Sequence, residues 1–336
     1  MIFNILKVIL ALILLLTIIY FVGPRVEKPI LNNDLPKLNF GLLELEKWIN
    51  DKESSLSNIK TDNEARIIWS DSIPKQTDYS LVYLHGWSAS QGEGDPVHRL
   101  LAERYGFNLY LARLAGHGIK EERTMCDLTA DQLYDSAKEA IAIGKKIGKK
   151  VIVIGTSTGC TLALPLSAGD PDVTALILYS PNIALANGSS SLLSGPWGVQ
   201  LAKALLGEYL EYEPENPLVG QYWTNKYCSK ALTQLQVLVD QTMVKETFQG
   251  VTQPVFMGYY YKDEENQDQT VSVPAMLKMF EELGTENQLK RKVAFPDVGE
   301  HVIASYISSK DLESVKSETF KFFDEVLKLP VRNGSM

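Results

Sequence analysis

The sequence predicts an α/β protein built on a mostly parallel sheet with helices packed on both faces. Three observations carry that expectation. Short β-branched runs alternate with stretches of helical periodicity. Those runs are apolar throughout rather than alternating, as strands covered on both faces are. The chain has 336 residues, 45% hydrophobic and 22% charged, enough for one large globular domain plus an appendage.

The appendage comes first. From Ile2 to Val22 nearly every residue is apolar, broken only by Asn4, Lys7 and Thr17, and Gly23, Pro24 and Arg25 end the run. The unbroken part from Val8 is shorter than the ~20 residues that cross a bilayer. Counted from Ile2, with the Lys7 ammonium reaching the interface, it is long enough. It is apolar on all sides, unlike a soluble surface helix. Neither a small-x-small cleavage site nor a cysteine for lipid attachment follows it. Residues 1–25 therefore read as an uncleaved, single-pass membrane signal-anchor, with a cleaved signal peptide as the rival. Flanking charges nearly balance, so orientation rests on the usual signal-anchor geometry, which puts the remainder outside the cytoplasm. Residues 26–60 read as a polar tether, with two prolines before position 37 and a short helix from Leu42. The globular domain is expected over 61–330.

Within that domain, strands are expected at 65–69 (A-R-I-I-W), 80–84 (S-L-V-Y-L), 107–112 (F-N-L-Y-L-A), 151–154 (V-I-V-I), 175–179 (A-L-I-L-Y), 255–261 and 292–295. Helices are expected at 96–105, after a Thr129/Gln132 capping box, from 158 to 166, around 276–283, and at the end. The last carries Leu312, Val315, Phe322, Phe323 and Val326 on one side. The alternation breaks between 181 and 254, where the sequence is polar and aromatic without a clear strand. Serines 189–191 mark a loop there.

Composition excludes some functions. A net charge of −8 with no basic run argues against nucleic acid. Cys126, Cys160 and Cys228 have no C-x-x-C spacing and read as small buried side chains. A Cys126–Cys228 bridge stays open for a domain in an oxidising compartment. Four scattered histidines suggest no metal site, and no cofactor is implied.

The chemistry centres on V-I-V-I-G-T-S-T-G-C from Val151 to Cys160. A strand that ends in a sharp turn carrying a serine, followed by a helix, is the arrangement of a nucleophile elbow. Gly155 and Gly159 omit side chains where strand and helix pass close to the turn. The pattern alone arises by chance too readily in a chain this long, so its partners must carry the case. A serine hydroxyl needs a base, and the base needs an orienting acid. In this architecture the chain order is Ser, acid, His, and His301 is the only histidine after Ser157. Two aspartates compete for the acid. Asp263 directly follows the 255–261 strand, while Asp268 opens D-Q-T-V-S, which fits the usual acid loop better. The oxyanion donors are expected to be the backbone N–H groups of Trp87, in His85-Gly86-Trp87, and of Thr158. His85 and His117 precede the serine in turn motifs and read as structural. His98, in a first helical turn, reads as structural or surface.

Taken in order, His85-Gly86, Arg113-Leu114-Ala115-Gly116-His117-Gly118, the Gly155–Gly159 turn, Asp268 and His301 resemble the α/β-hydrolase superfamily. The likeness is to its branch of monoacylglycerol lipases, lysophospholipases and serine aminopeptidases, and it covers about residues 65–329. One departure is the four residues between Asp263 and Asp268, where simpler members carry a single acid in a shorter loop. The resemblance implies a mainly helical cap at about 182–253, inserted between two late strands above the pocket. Trp197, Tyr209, Tyr212, Tyr222, Trp223 and Tyr227 would then either line an acyl groove or glue the cap to the core.

The expected function is a membrane-anchored serine esterase or lipase acting on small-molecule or lipid esters, such as monoacylglycerols or lysolipids. Peptidase or acyltransferase chemistry on the same residues is the alternative within enzymes. A non-catalytic binding protein of the same fold is the alternative outside them.

Overall fold

The computed structural model describes residues 2–332. Met1, the first residue of the expected anchor, and residues 333–336 lie outside the described residues. The strands are β1 (Arg66–Ile68), β2 (Thr77–Leu84), β3 (Asn108–Leu111), β4 (Gly148–Thr156), β5 (Val173–Tyr179), β6 (Tyr209–Glu211), β7 (Lys226–Cys228), β8 (Val255–Tyr260) and β9 (Lys290–Phe295). The helices are α1 (Ile2–Phe21), α2 (Leu42–Ser54), α3 (Val97–Tyr105), α4 (Ala130–Ile147), α5 (Thr158–Ser167), α6 (Gly198–Leu206), α7 (Pro217–Tyr222), α8 (Ala231–Thr242), α9 (Lys245–Gly250), α10 (Val273–Glu282) and α11 (Leu312–Lys321).

Seven strands form one sheet in the order β1-β3-β2-β4-β5-β8-β9. Every neighbouring pair is parallel except the short edge strand β1, which runs antiparallel to β3. Successive residues serve opposite cores. Val82, Leu84, Val151, Val153, Leu176 and Met257 are buried in one cluster; Leu81, Tyr83, Ile152, Ile154, Ile177 and Phe256 are buried in the other. The unbroken apolar runs thus have the cause expected of them, a covered layer on each side. Each such side chain contributes roughly 1.5–3 kcal/mol by burial. Helices α4 and α5 cover the first face, and α3 and α11 the second. The capping box at the start of α4 forms: Gln132 N–H donates to Thr129 Oγ1 at 3.2 Å, and Thr129 N–H to Gln132 Oε1 at 3.0 Å.

The region between β5 and β8 leaves the sheet. It holds α6 to α9 and an antiparallel ribbon of β6 with β7. Three residues per strand are too few for alternation to show in sequence, which is why no strand was expected there. Cys126 and Cys228 are disulfide-bonded, with Cα atoms 4.9 Å apart, and only Cys160 is a free, buried thiol. That corrects the reading of all three as simple buried side chains. The bond ties the loop after β3 to β7 across 102 positions, a proximity only the tertiary fold creates.

Helix α1 is exposed from Phe3 to Ile19 and is long and apolar enough to cross a membrane, with mean hydropathy 2.5 over Phe3–Phe21. Its end is fastened to the insert. Trp197 N–H donates to Pro24 O at 2.7 Å, and Trp197 Nε1 to Ile19 O at 3.1 Å. Residues 26–41 run along the domain, where Ile30 N–H donates to Asp131 and Tyr134 Oη to Asn33.

A cross-link closing so long a loop restricts the unfolded chain strongly. Replacing Cys126 and Cys228 together by Ser should lower the unfolding free energy of the 26–336 segment by about 2–5 kcal/mol in a urea titration. An unchanged midpoint would mean that the bond does not stabilise the fold.

Candidate active site

Ser157 stands between β4 and α5 with φ 53° and ψ −114°. A non-glycine residue there is strained by roughly 1–3 kcal/mol, so the surroundings must hold it. They do so from both sides. Ser157 N–H donates to Tyr179 O at 3.0 Å, and Ser157 O accepts from Asn182 N–H at 3.2 Å. A Cβ on Gly159 would lie 1.9 Å from Leu84 O, so α5 can cross the end of β2 only if that position is glycine. On Gly155 a Cβ would lie 2.8 Å from Cys160 N. The two glycines of the motif are therefore steric requirements of the turn.

His301 lies in the loop after β9, and its Nδ1 is 2.6 Å from Asp268 Oδ2. The Asp268 carboxylate is fully buried; its other oxygen accepts from Thr270 N–H at 2.9 Å and Val271 N–H at 3.0 Å. With both oxygens engaged, the carboxylate is held in place facing the imidazole. Burial alone would lower the His301 pKa. The Asp268 charge and hydrogen bond, with smaller contributions from Glu93 and Glu300, outweigh burial and raise it above its ordinary 6.5.

The choice between the two aspartates is decided by the loop. Residues 262–267 form a closed excursion in which Asp263 Oδ1 accepts from Glu265 N–H and Asn266 N–H, and Lys262 N–H donates to Asn266 O. The chain returns to the strand end, where Asp268 N–H donates to Tyr260 O at 3.2 Å. Asp263 is left exposed, capping its own turn, and its hydrogen bonds to Asn266 keep its pKa below the usual carboxylate value.

The end of β5 joins the serine to the histidine. Tyr179 receives the Ser157 N–H, and the next residue, Ser180, donates its Oγ to His301 O at 2.6 Å. Ser157 Oγ itself makes no hydrogen bond to any described residue, His301 included. The Trp87 and Thr158 N–H groups also have no partner among the described residues, Thr158 being the first residue of α5.

The other histidines are structural. His85 is fully buried, with Nε2 accepting from Leu114 N–H at 3.0 Å and Nδ1 against Gly86 O at 2.9 Å. The neutral Nδ1–H tautomer satisfies both, and burial holds its pKa well below 6.5. Burial likewise lowers His117 to about 4 and His98 to about 3, each bonded to a backbone carbonyl. The aromatic residues of the insert divide. Tyr222 is glue: its ring covers Gly92, and its Oη donates to Asp62 at 2.6 Å. Tyr227 packs edge-on against Trp87, with ring centroids 6.0 Å apart, beside the turn that carries the unpartnered N–H.

One group escaped the sequence reading. Glu93, in the 3-10 turn Gln91–Gly94, is 2% exposed and accepts from Gly86 N–H at 2.5 Å and Tyr83 Oη at 3.2 Å. Burial pushes its pKa up to about 7, against the opposing effects of the Gly86 hydrogen bond, His301 and Tyr83. A glutamate between two glycines in Q-G-E-G, just past a strand, was its only signal.

Comparison with known proteins bears on the family and the fold. The sequence profile described as "Alpha/beta hydrolase family" matches residues 81–307. No curated protein matches the sequence. The structure is similar to one reported for LipS and LipT, two metagenome-derived lipolytic enzymes (TM-score 0.63, 13% identity, covering 80% of this chain and 99% of that one). It is also similar to Est1E from Butyrivibrio proteoclasticus with ferulic acid bound (0.54, 19%, 81% and 100%). A thermophilic esterase from Thermogutta terrifontis is a third (0.50, 14%, 81% and 97%). Identities this low speak for the fold alone.

The two aspartates can be told apart without any substrate. In NMR titrations, His301 of the unaltered protein should titrate above pH 6.5. Asp268→Asn removes the charge that favours the imidazolium and should move the midpoint to lower pH, while Asp263→Asn should leave it in place. The reverse pattern would reassign the pair.

Proposed function

The chain belongs to the alpha/beta hydrolase family, and from that premise we propose that it is a serine hydrolase that cleaves carboxylic esters through an acyl-enzyme. The observation that carries the reading is the buried, doubly anchored Asp268 carboxylate 2.6 Å from His301 Nδ1. With Nδ1–H held by Asp268, the lone pair of His301 is on Nε2, the nitrogen free to take a proton. Ser157 Oγ attacks the ester carbonyl carbon and its proton passes to Nε2. The tetrahedral oxyanion is met by the Trp87 and Thr158 N–H groups, and the start of α5 adds its dipole. Collapse breaks the bond to the leaving alkoxy oxygen, which takes the proton from Nε2. Water then repeats the sequence on the acyl-enzyme and frees the acid. In a substrate-free site the serine–histidine hydrogen bond is commonly long and tightens only with substrate bound.

In this reading residues 182–253 are a cap over the pocket, and Tyr227 with Trp87 forms part of its apolar wall. Residues 1–25 are a membrane anchor. The Cys126–Cys228 bond favours an oxidising compartment, and so a catalytic domain on the non-cytoplasmic side. Lipid-derived monoesters are the substrate class proposed, because the anchor holds the site beside a bilayer.

Two measurements test the proposal. A fluorophosphonate probe should label the intact protein and should not label Ser157→Ala; no labelling of the folded wild type would overturn the enzyme reading. With p-nitrophenyl esters of graded length, kcat/KM should rise from acetyl towards longer acyl chains. A clear preference for acetyl would overturn the lipid assignment and leave the hydrolase reading intact.

A further inference from the structure

Glu93 is a buried acid for which the mechanism above has no use. It lies in the turn after β2, and among the described residues no lysine or arginine forms an ion pair with it. One carboxylate oxygen, Oε2, receives the Gly86 N–H and the Tyr83 hydroxyl. The other makes no hydrogen bond to a described residue. A Cβ placed on Gly86 would lie 2.6 Å from Glu93 Oε1 and 3.1 Å from Ser157 Cβ, so the carboxyl and the serine flank the same small space. Tyr83 also shares a hydrogen bond of 3.1 Å with Thr156, the residue before the serine. From the opposite side, Ser305 Oγ donates to Gly92 O at 3.0 Å, and Tyr306 N–H to Asp95 O at 2.9 Å. The turn that holds Glu93 is thereby joined to the loop that holds His301.

We propose that Glu93 is a positioning residue of the hydrolytic site: it holds the Gly86 peptide, and with it the adjoining Trp87 N–H, against Ser157, from a turn bonded to the loop that carries His301. This rests on the serine-hydrolase reading. The geometry gives the positioning directly. Fixing the Gly86 N–H on Glu93 fixes the plane of the peptide before Trp87, and so the direction of the next N–H, which stays free. A consequence follows from charge. The groups facing Glu93 are Tyr83 from β2, Cys160 from α5 and His301 from the loop after β9; Asp95, His98 and Arg99 lie beyond it on its own side. His301 faces Asp268, Glu300 and Glu93, all three of which favour its charged form. Burial pushes the pKa of Glu93 up to about 7, and its charge favours the charged form of His301, so the two titrations are linked. The same negative charge opposes the oxyanion. For that reason the ionic consequence is read in the titration of His301 and not in rate alone.

The test compares wild type, Glu93→Gln and Glu93→Ala in the full chain, with folding checked by circular dichroism. Gln keeps an oxygen for the Gly86 N–H and removes the charge; Ala removes both. In the NMR titration, His301 of E93Q should show a midpoint lower by at least about 0.3 pH unit. With p-nitrophenyl esters, E93A should lose about tenfold or more in kcat, with KM changed far less, because a displaced oxyanion donor acts on the transition state. E93Q should recover most of that loss. An unchanged His301 titration in E93Q, or an E93A enzyme with wild-type kcat, would overturn the proposal. Should neither variant fold, the wild type still decides: a Gly86 amide that exchanges with solvent as fast as an exposed one would overturn the proposal. If the wild type hydrolyses no ester while the E93Q midpoint shifts, the hydrolase reading fails and the Glu93–His301 pairing stands.

Discussion

The left-handed backbone of Ser157 is the constraint on which the rest of the site hangs. A side-chain-bearing residue at φ 53° and ψ −114° persists only if its neighbours leave it no alternative. Here β4 ends, α5 begins at once, and the helix passes so close to β2 that Gly159 has no room for a Cβ against Leu84 O. Close-packed strands on both sides prevent the turn from relaxing, because β4 is the centre of the sheet, between β2 and β5. The burial that stabilises the sheet thus maintains the strained turn that carries the Ser157 hydroxyl. A hole opened beneath the turn would act on the site by letting the serine relax, before it acted on the fold as a whole.

The parallel sheet does the remaining assembly. Strands β2, β4, β5, β8 and β9 all deliver their following loops to one edge, as parallel neighbours must. His85-Gly86-Trp87, Ser157, Tyr179-Ser180, Asp268 and His301 meet there although some 200 positions separate them. The hydrogen bonds that hold this edge are mostly from backbone to backbone or from side chain to backbone. Examples are Ser157 N–H to Tyr179 O and Ser180 Oγ to the His301 carbonyl. Two groups of buried charge stand out against that polar frame. Asp268 has both oxygens hydrogen-bonded, whereas Glu93 has one oxygen occupied, no cationic partner among the described residues, and a pKa raised by burial.

The insert and the first helix attach to this frame through long-range bonds, and α8 and α9 of the insert also pack on its core. One disulfide holds β7 to the loop after β3, and Trp197 holds the end of α1. Tyr222 and Tyr227 show how one aromatic composition serves two purposes. The former seals a glycine of the Glu93 turn, and the latter stands against Trp87. Nothing in their spacing separates those uses, because the partner of each lies more than 100 residues away.

Local physics made the fold legible in sequence. Strand runs such as 151–154 and 175–179 must be apolar on both sides, the elbow must be glycine-flanked, and α4 must be capped by Thr129 and Gln132, so each wrote itself into neighbouring residues. Ser157 and His301 were legible for the same reason, one by its turn and the other as the only histidine that follows it. The ribbon of β6 and β7 was not, since three-residue strands carry no period. The sequence by itself therefore determined the sheet, the elbow and the order of the groups along the chain. Only the tertiary structure decided which aspartate faces His301, that Cys126 meets Cys228, and that Glu93 lies buried beside the serine. Each of those depends on where a loop closes or on which distant segments share a space, and such proximity leaves no mark on the residues next in line.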